Sequence, residues 1–122
     1  MLDHVGLEVS DLAASRAFYV AALEPLGLAP IMEFGGACGM GTDGKPGFSI
    51  TSRGRDTSTD VHVAITAPDS ATVDRFHEAA LAVGGRDNGG PGVREIYHSS
   101  YYGAFVLDPD GNNIEAVTHR PE

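Results

Sequence analysis

The chain has 122 residues, 42% of them hydrophobic, and this length and composition predict a single globular domain with a substantial core. Eight lysines and arginines against 17 aspartates and glutamates give a net charge of −9. Because phosphate contacts need clustered basic side chains, this balance argues against nucleic acid or an anionic membrane surface as a partner, and no apolar run approaches transmembrane length.

The first half of the chain begins with an alternating strand that leads into a helix. Val5, Leu7 and Val9 share one face of residues 3–9, while His4 lies on the other. Ser10 and Asp11 are helix-capping types, and apolar residues follow at helical spacing until Pro25 and Gly27 end the helix near residue 23. Residues 28–57 are predicted to hold three short strands, near 30–34, 37–41 and 47–51, which glycines separate.

The second half repeats this order after a polar linker at residues 51–60. A strand is predicted over 61–66, followed by a helix that starts at Pro68 and Asp69 and stops at Gly84 and Gly85. A glycine-rich loop at 88–92 separates this helix from predicted strands at 93–98, 101–107 and 113–117. The last two strands flank the turn Asp108-Pro109-Asp110-Gly111.

An internal repeat underlies this symmetry. When residues 4–27 are aligned with 62–85, a shift of 58 positions without a gap, nine of the 24 positions are identical. The matched residues include His4 with His62 and Phe18 with Phe76. The repeat predicts an α+β fold of two βαβββ modules, about 1–55 and 60–120, whose mixed sheets curl around a central cleft with helices on the outer faces.

The repeat also predicts a metal site. Both modules open with a histidine on an apolar strand, and aligning the two Asp-Gly turns places Ser49 opposite Glu115. Two imidazoles and one carboxylate are a ligand set suited to zinc or, with open positions, to iron or manganese. His4, His62 and Glu115 are therefore the predicted ligands of a divalent metal.

Three segments resemble the vicinal oxygen chelate superfamily, which includes glyoxalase I, fosfomycin resistance enzymes, extradiol dioxygenases and bleomycin resistance proteins. They are DHVGLEVSDLAASRAFY, DVHVAI and FVLDPDGNNIEAV, and the resemblance covers nearly the whole chain. It implies paired βαβββ modules around a metal cleft and assigns ligand roles to His4, His62 and Glu115. The implied metal is divalent, with zinc, iron, manganese and nickel all open.

The sequence differs in three respects from the patterns of better-known superfamily members, and each difference argues against a specific known activity. Ser49 stands where glyoxalase I has a fourth ligand, Glu or Gln. Phe105 stands where fosfomycin enzymes and extradiol dioxygenases have a tyrosine, ten residues before the ligand glutamate. The basic cluster that holds a phosphonate in fosfomycin enzymes is also missing from the sequence.

Other residues are weaker candidates. His98 is predicted to move a proton or to contact substrate, in a stretch that also contains Tyr97, Tyr101 and Tyr102. Arg53 and Arg94 are candidates for receiving a carboxylate. Surface positions are predicted for His77 and His119. Phe34 and Met40 are predicted in the core, with an apolar part of the pocket as the alternative, and Cys38 is predicted as a buried apolar residue of a cytoplasmic protein.

Two functions follow from these features. The first is a metal-dependent lyase, isomerase or ring-cleaving dioxygenase acting on a small, oxygen-rich substrate. The second is a metal-independent binding protein of the bleomycin-resistance type that sequesters a small ligand, for which the acidic charge favours a cation. We also expect a homodimer, in which pairing of modules across chains would bring His4 of one chain to His62 and Glu115 of the other.

Overall fold

The computed structural model describes residues 1–120 and contains the two predicted modules in sequence. Module one consists of β1 (Val5–Glu8), α1 (Leu12–Leu23), a 3₁₀ turn (Glu24–Leu26), β2 (Ala29–Phe34), β3 (Ala37–Thr42) and β4 (Lys45–Thr51). Module two consists of β5 (His62–Thr66), α2 (Ser70–Ala82), β6 (Arg86–Val93), β7 (Tyr102–Leu107) and β8 (Asn113–Thr118).

Each module builds one four-stranded mixed sheet, and the two sheets have the same topology. Their strand orders are β1-β4-β3-β2 and β5-β8-β7-β6, with the first pair of each sheet parallel. Gly6 lies opposite Ser49 in one sheet, and Ala64 lies opposite Glu115 in the other. Because Gly6 and Ala64 are equivalent in the 58-residue repeat, this register makes Ser49 the structural counterpart of Glu115. The α+β class and the two-module architecture are confirmed.

The helices begin and end where the capping residues predict. Asp11 and Asp69 are the N-caps, and their side chains accept hydrogen bonds from Ala14 N and Thr72 N. Phe18 and Phe76 occupy equivalent buried places, at 2% and 0% exposure. The helices contact each other, and each also packs on its own sheet. The buried apolar residues of both modules consequently form a single core.

A buried turn between β7 and β8 joins the two modules. The Asp108 carboxylate accepts hydrogen bonds from the hydroxyl of Tyr19 on α1, from Asp110 N and from both nitrogens of Asn112. Asn112 also donates to Ser58 O and accepts from Val61 N, which ties down the linker. The DPDGN segment is therefore a clasp that holds α1 and the linker against module two.

A second set of bonds fixes the linker to module one. The buried carboxylate of Glu8 accepts hydrogen bonds from the Thr51 hydroxyl and from the backbone N–H groups of Arg53 and Arg55. The backbone of Glu8 exchanges two further bonds with Ser58. The linker is thus attached to both modules rather than free between them.

Three predictions for module two are wrong. The glycine-rich segment 88–92 belongs to strand β6, and residues 95–97 form a turn instead of a strand. Glycines let β6 pair with β7 through two register shifts, between Asp87 and Gly89 and between Gly89 and Gly92. His77 is also not a surface residue, since its side chain is 13% exposed and hydrogen-bonds Asp87.

The remaining placements divide between core and surface. Cys38 and Met40 are buried as predicted. Phe34, by contrast, is 65% exposed at the end of the edge strand β2, so its predicted core position is wrong. Among residues 1–120, neither helix is long and apolar enough to cross a membrane.

Candidate active site

Strands β5 and β8 bring together two of the three predicted metal ligands. The strands are parallel neighbours, and the His62 Nε2 atom lies 2.7 Å from the Glu115 Oε1 atom. Glu115 is 0% exposed, whereas the imidazole of His62 is about half exposed. A buried carboxylate is stable only when polar partners or a cation surround it. The pair therefore combines an anionic oxygen held in the sheet with an imidazole open to a ligand.

Tyr101 is the second partner of Glu115. Its hydroxyl donates to the Glu115 Oε2 atom, so both carboxylate oxygens are engaged. Gly103 makes this contact possible, because a Cβ atom there would lie 3.0 Å from Glu115 Oε2 and 3.2 Å from the Tyr101 ring. Burial raises the pKa of Tyr101, and the hydrogen bond to the adjacent carboxylate raises it further. Tyr101 is therefore a neutral donor that holds the carboxylate in place.

His4 lies on module one, in different surroundings from its repeat partner. Its Nδ1 atom lies 2.9 Å from Asp3 Oδ1, and Lys45 Nζ lies 2.6 Å from the other oxygen of Asp3. The hydrogen bond from Lys45, followed by that from His4, lowers the pKa of Asp3 to about 2. With Nδ1 donating to a carboxylate, the Nε2 atom of His4 is left as the ligand nitrogen.

Within one chain, His4 does not join His62 and Glu115. Among residues 1–120, no three histidine, cysteine or acidic side chains converge closely enough to hold a metal ion. The imidazole of His4 is 68% exposed on the open face of its own sheet. A metal site formed by His4, His62 and Glu115 together stays a prediction. Of these three residues, one chain brings only His62 and Glu115 into contact.

An aromatic cluster surrounds Tyr101 at the end of β8. The rings of His98 and His119 are nearly parallel with centroids 4.8 Å apart, and each meets the Tyr101 ring edge-on at 5.5 Å. Tyr97 packs against Tyr101 at 4.7 Å. His98 thus contacts the ring of Tyr101, whose hydroxyl is bonded to Glu115. The catalytic role of His98 stays a prediction.

Phe105 packs near His62, and Arg94 packs on Phe105. The Phe105 ring lies 6.1 Å from the imidazole of His62, and the Arg94 guanidinium carbon lies 5.4 Å from the Phe105 ring centroid. Arg94 also donates to Gly90 O at 2.5 Å. Phe105 is therefore an apolar neighbour of His62, and Arg94 is a cation held against Phe105.

Module one contains a concavity next to His4 with a volume of about 340 Å³. Met32, Phe34 and Pro46 provide apolar walls, and Ser49 and Arg53 add polar groups. Gly39 keeps the floor open, because a Cβ atom there would lie 2.9 Å from Pro46 Cβ. The exposure of Phe34 is explained by its position at this concavity.

Two site residues carried little signal in the sequence. Tyr101 precedes Glu115 by 14 positions rather than ten, and it ends a turn in which strand alternation does not apply. His119 follows β8 near the end of the chain, where a solvated position was predicted; it is exposed and also hydrogen-bonded to His98. The available signal was its even spacing from Glu115, which would extend the alternation of β8 by one residue beyond the end of the strand.

Comparisons with known proteins agree with this fold. A glyoxalase/bleomycin resistance protein from Albidiferax ferrireducens T118 is 31% identical, with a TM-score of 0.84 over 94% of this chain and 96% of that one. A glyoxalase/bleomycin resistance protein/dioxygenase family enzyme from Burkholderia phytofirmans PsJN is 21% identical, with a TM-score of 0.72 over 95% and 96% of the two chains. A lactoylglutathione lyase from Agrobacterium tumefaciens is 18% identical, with a TM-score of 0.68 over 96% and 92%.

No curated protein matches the chain significantly. The family model described as Glyoxalase/Bleomycin resistance protein/Dioxygenase superfamily matches residues 1–116. This match spans nearly the whole chain and both modules, so the protein belongs to the glyoxalase/bleomycin resistance protein/dioxygenase superfamily.

Proposed function

We propose that the protein is a divalent-metal-dependent enzyme whose site is shared across a homodimer. His62 and Glu115 of one chain would hold the metal together with His4 of a second chain. The observation that carries this proposal is the contact between the fully buried carboxylate of Glu115 and the Nε2 atom of His62, at 2.7 Å.

The donor set fits a divalent cation. His62 Nε2 and Glu115 Oε1 are close enough to bind the same ion, and Tyr101 holds the second carboxylate oxygen. His4 offers a free Nε2 atom because its Nδ1 atom is bound to Asp3. Two neutral imidazoles and one carboxylate leave coordination positions for ligand oxygens.

The arrangement of the modules supports sharing between chains. The helices of one chain pack on each other, and the clasp at Asp108 and the bonds of Glu8 hold the linker to both modules. These contacts oppose a rearrangement that would carry His4 to Glu115 of the same chain. A second copy would supply the missing imidazole and cover part of the open sheet faces.

The chemistry would be activation of a small, oxygen-rich substrate. When bound, the metal would supply a Lewis acid that polarises a carbonyl or stabilises an enolate. The chain's own residues would position that site: Tyr101 orients Glu115, and Phe105, which carries Arg94 against its ring, lies beside His62. Lyase, isomerase and ring-cleaving dioxygenase reactions all use such a site, and Ser49 leaves it one ligand short of a glyoxalase I set.

Mixing two defective variants tests the shared site. Untagged His4→Ala and Glu115→Ala chains are mixed under conditions that exchange subunits with manganese or zinc present, unbound metal is removed, and retained metal is counted by elemental analysis. In the shared arrangement, random exchange restores roughly one quarter of the wild-type sites, because half of the dimers are mixed and each has one intact site of two.

A matched pair of variants is the control. Mixing His62→Ala with Glu115→Ala restores nothing, because those two ligands come from the same chain. No recovery with the His4 and Glu115 pair, despite metal binding by the wild type, would assign each site to one chain. Failure of the untagged wild type to retain or regain any divalent metal would end the metal-dependent proposal.

One observation favours the alternative of a metal-independent binding protein. The concavity beside His4 has an accessible surface that is mostly apolar, and an exposed phenylalanine, Phe34, lies at its wall. Saturable binding of a cationic drug that persists in EDTA and is lost in Phe34→Ser would support this alternative over the enzyme.

A further inference from the structure

His98 and His119 form a directly hydrogen-bonded pair of imidazoles. The Nε2 atom of His98 lies 2.8 Å from the Nδ1 atom of His119, and the two rings are nearly parallel, with an interplanar angle of 25°. His98 belongs to the turn between β6 and β7, and His119 directly follows β8. The pair thus connects two segments that are 21 residues apart in sequence.

A backbone group determines which nitrogens carry protons. The N–H of Ser100 donates to the Nδ1 atom of His98 at 3.1 Å. A backbone N–H can only donate, so this Nδ1 atom is an unprotonated acceptor and neutral His98 carries its proton on Nε2. That proton points at the Nδ1 atom of His119, and neutral His119 must therefore carry its own proton on Nε2.

The consequence is an asymmetric pair. Both nitrogens of His98 are engaged, and so is the Nδ1 atom of His119. Of the four ring nitrogens in the pair, the Nε2–H of His119 is the one that neither the other imidazole nor Ser100 contacts. Although both side chains are exposed, the pair in this state presents a hydrogen-bond donor and no open lone pair.

The pair lies beside the proposed metal ligands. Both imidazoles contact the ring of Tyr101, whose hydroxyl is bonded to Glu115. A neutral imidazole N–H next to a Lewis-acid site is suited to a ligand oxygen that carries or develops negative charge, because it stabilises that charge without giving up its proton.

We propose that His119 is a ligand-contacting residue, through its Nε2–H, and that His98 is a positioning residue that acts through His119. The ligand group is an anionic oxygen, such as a carboxylate or an enolate. The location of that ligand rests on the proposed metal site. The tautomers of His98 and His119 do not depend on that site, because they follow from the hydrogen bonds of the pair. His98 accordingly sets the tautomer of its partner and is not itself the group that takes a proton from substrate.

Nuclear magnetic resonance of the metal-free full chain tests the pair directly. Long-range proton–nitrogen correlations are expected to place the protons on Nε2 of both His98 and His119. His77, which hydrogen-bonds Asp87 elsewhere on module two, is the internal reference and should not change in the pair variants. A proton on Nδ1 of either His98 or His119 would overturn the assignment.

Acylation by diethyl pyrocarbonate gives a second measurement, because the reagent attacks only an unprotonated imidazole nitrogen. We expect His119 to react slowly in the native chain and about tenfold faster in His98→Leu, the factor that one hydrogen bond supports. His98→Gln keeps an amide N–H donor and should preserve the protection. Equal reactivity of His119 in all three chains would refute a positioning role for His98.

Titration with oxalate tests the ligand class in the same metal-free chain. The expected result is a shift of the His119 Nε2–H resonance that is reduced in His98→Leu and retained in His98→Gln. No shift, or a shift at His98 first, would overturn the ligand contact. Because no metal is present, such a failure leaves the outcome of the subunit-mixing experiment unaffected, and the two proposals are judged separately.

Discussion

Replacing Tyr19 with phenylalanine should weaken the clasp between the modules. Tyr19 and Asp108 are both buried, and the tyrosine hydroxyl donates to Oδ2 of the carboxylate. The substitution keeps the aromatic ring, which packs on Phe48 at 4.9 Å, so it removes a donor without opening a cavity. It leaves Oδ2 with a single partner, the Asn112 side chain at 3.0 Å.

The expected loss follows from the charge of the acceptor. A hydrogen bond to a buried charged group contributes about 1.5–3 kcal/mol, and this is the predicted fall in the free energy of unfolding of Tyr19→Phe. Tyr102→Phe is the matched control, since its hydroxyl bonds Asp74 in an exposed position. That variant should stay within about 0.5 kcal/mol of the wild type.

Urea unfolding followed by circular dichroism, at one fixed protomer concentration, measures both losses. The alkaline pH dependence provides a second readout. Burial raises the pKa of Tyr19 above its usual value near 10, and the charge of Asp108 adds to this shift. The tyrosine's contribution is therefore complete below pH 10 and is lost as the pH rises further, an effect that Tyr19→Phe should lack. A Tyr19→Phe chain as stable as Tyr102→Phe would refute the clasp.

Two further predictions concern the core and the linker. Phe18→Ala and Phe76→Ala should each lower the free energy of unfolding by about 3–5 kcal/mol in the same urea assay, because both rings are buried at repeat-equivalent places; losses below about 1 kcal/mol at both would contradict the packing. The Thr51 hydroxyl, followed by the backbone N–H of Arg53, lowers the pKa of Glu8 below 4.5, so its contribution is present above pH 4.5 and is lost as the pH falls further. Glu8→Gln should flatten the acid limb of the stability profile, and an unchanged limb would count against the linker bonds.

Much of the fold follows from the sequence because its signals are local. The caps Asp11 and Asp69, the helical spacing that buries Phe18 and Phe76, and the 58-residue repeat are all properties of short segments. The repeat and the Asp-Gly turns also predicted that Ser49 and Glu115 are equivalent, which the strand register confirms.

Contacts between distant segments were decided only by the tertiary structure. Alternation places Glu115 on a strand face but does not predict Tyr101 beside it, because residues 95–97 form a turn with no strand period. The same turn brings His98 to His119. The glycines of 88–92 are compatible with a loop, and their place in β6 depends on pairing with β7.

The position of His4 is the clearest case. Sequence equivalence determined that His4 and His62 lie at corresponding places at the starts of β1 and β5, and it could not determine whether the two strands face a common space. That depends on how two whole modules pack, through the contact between α1 and α2 and the clasp of Tyr19 with Asp108. Such packing is the sum of many long-range burial and hydrogen-bond terms that no single segment encodes, and it leaves His4 apart from His62 and Glu115 within one chain.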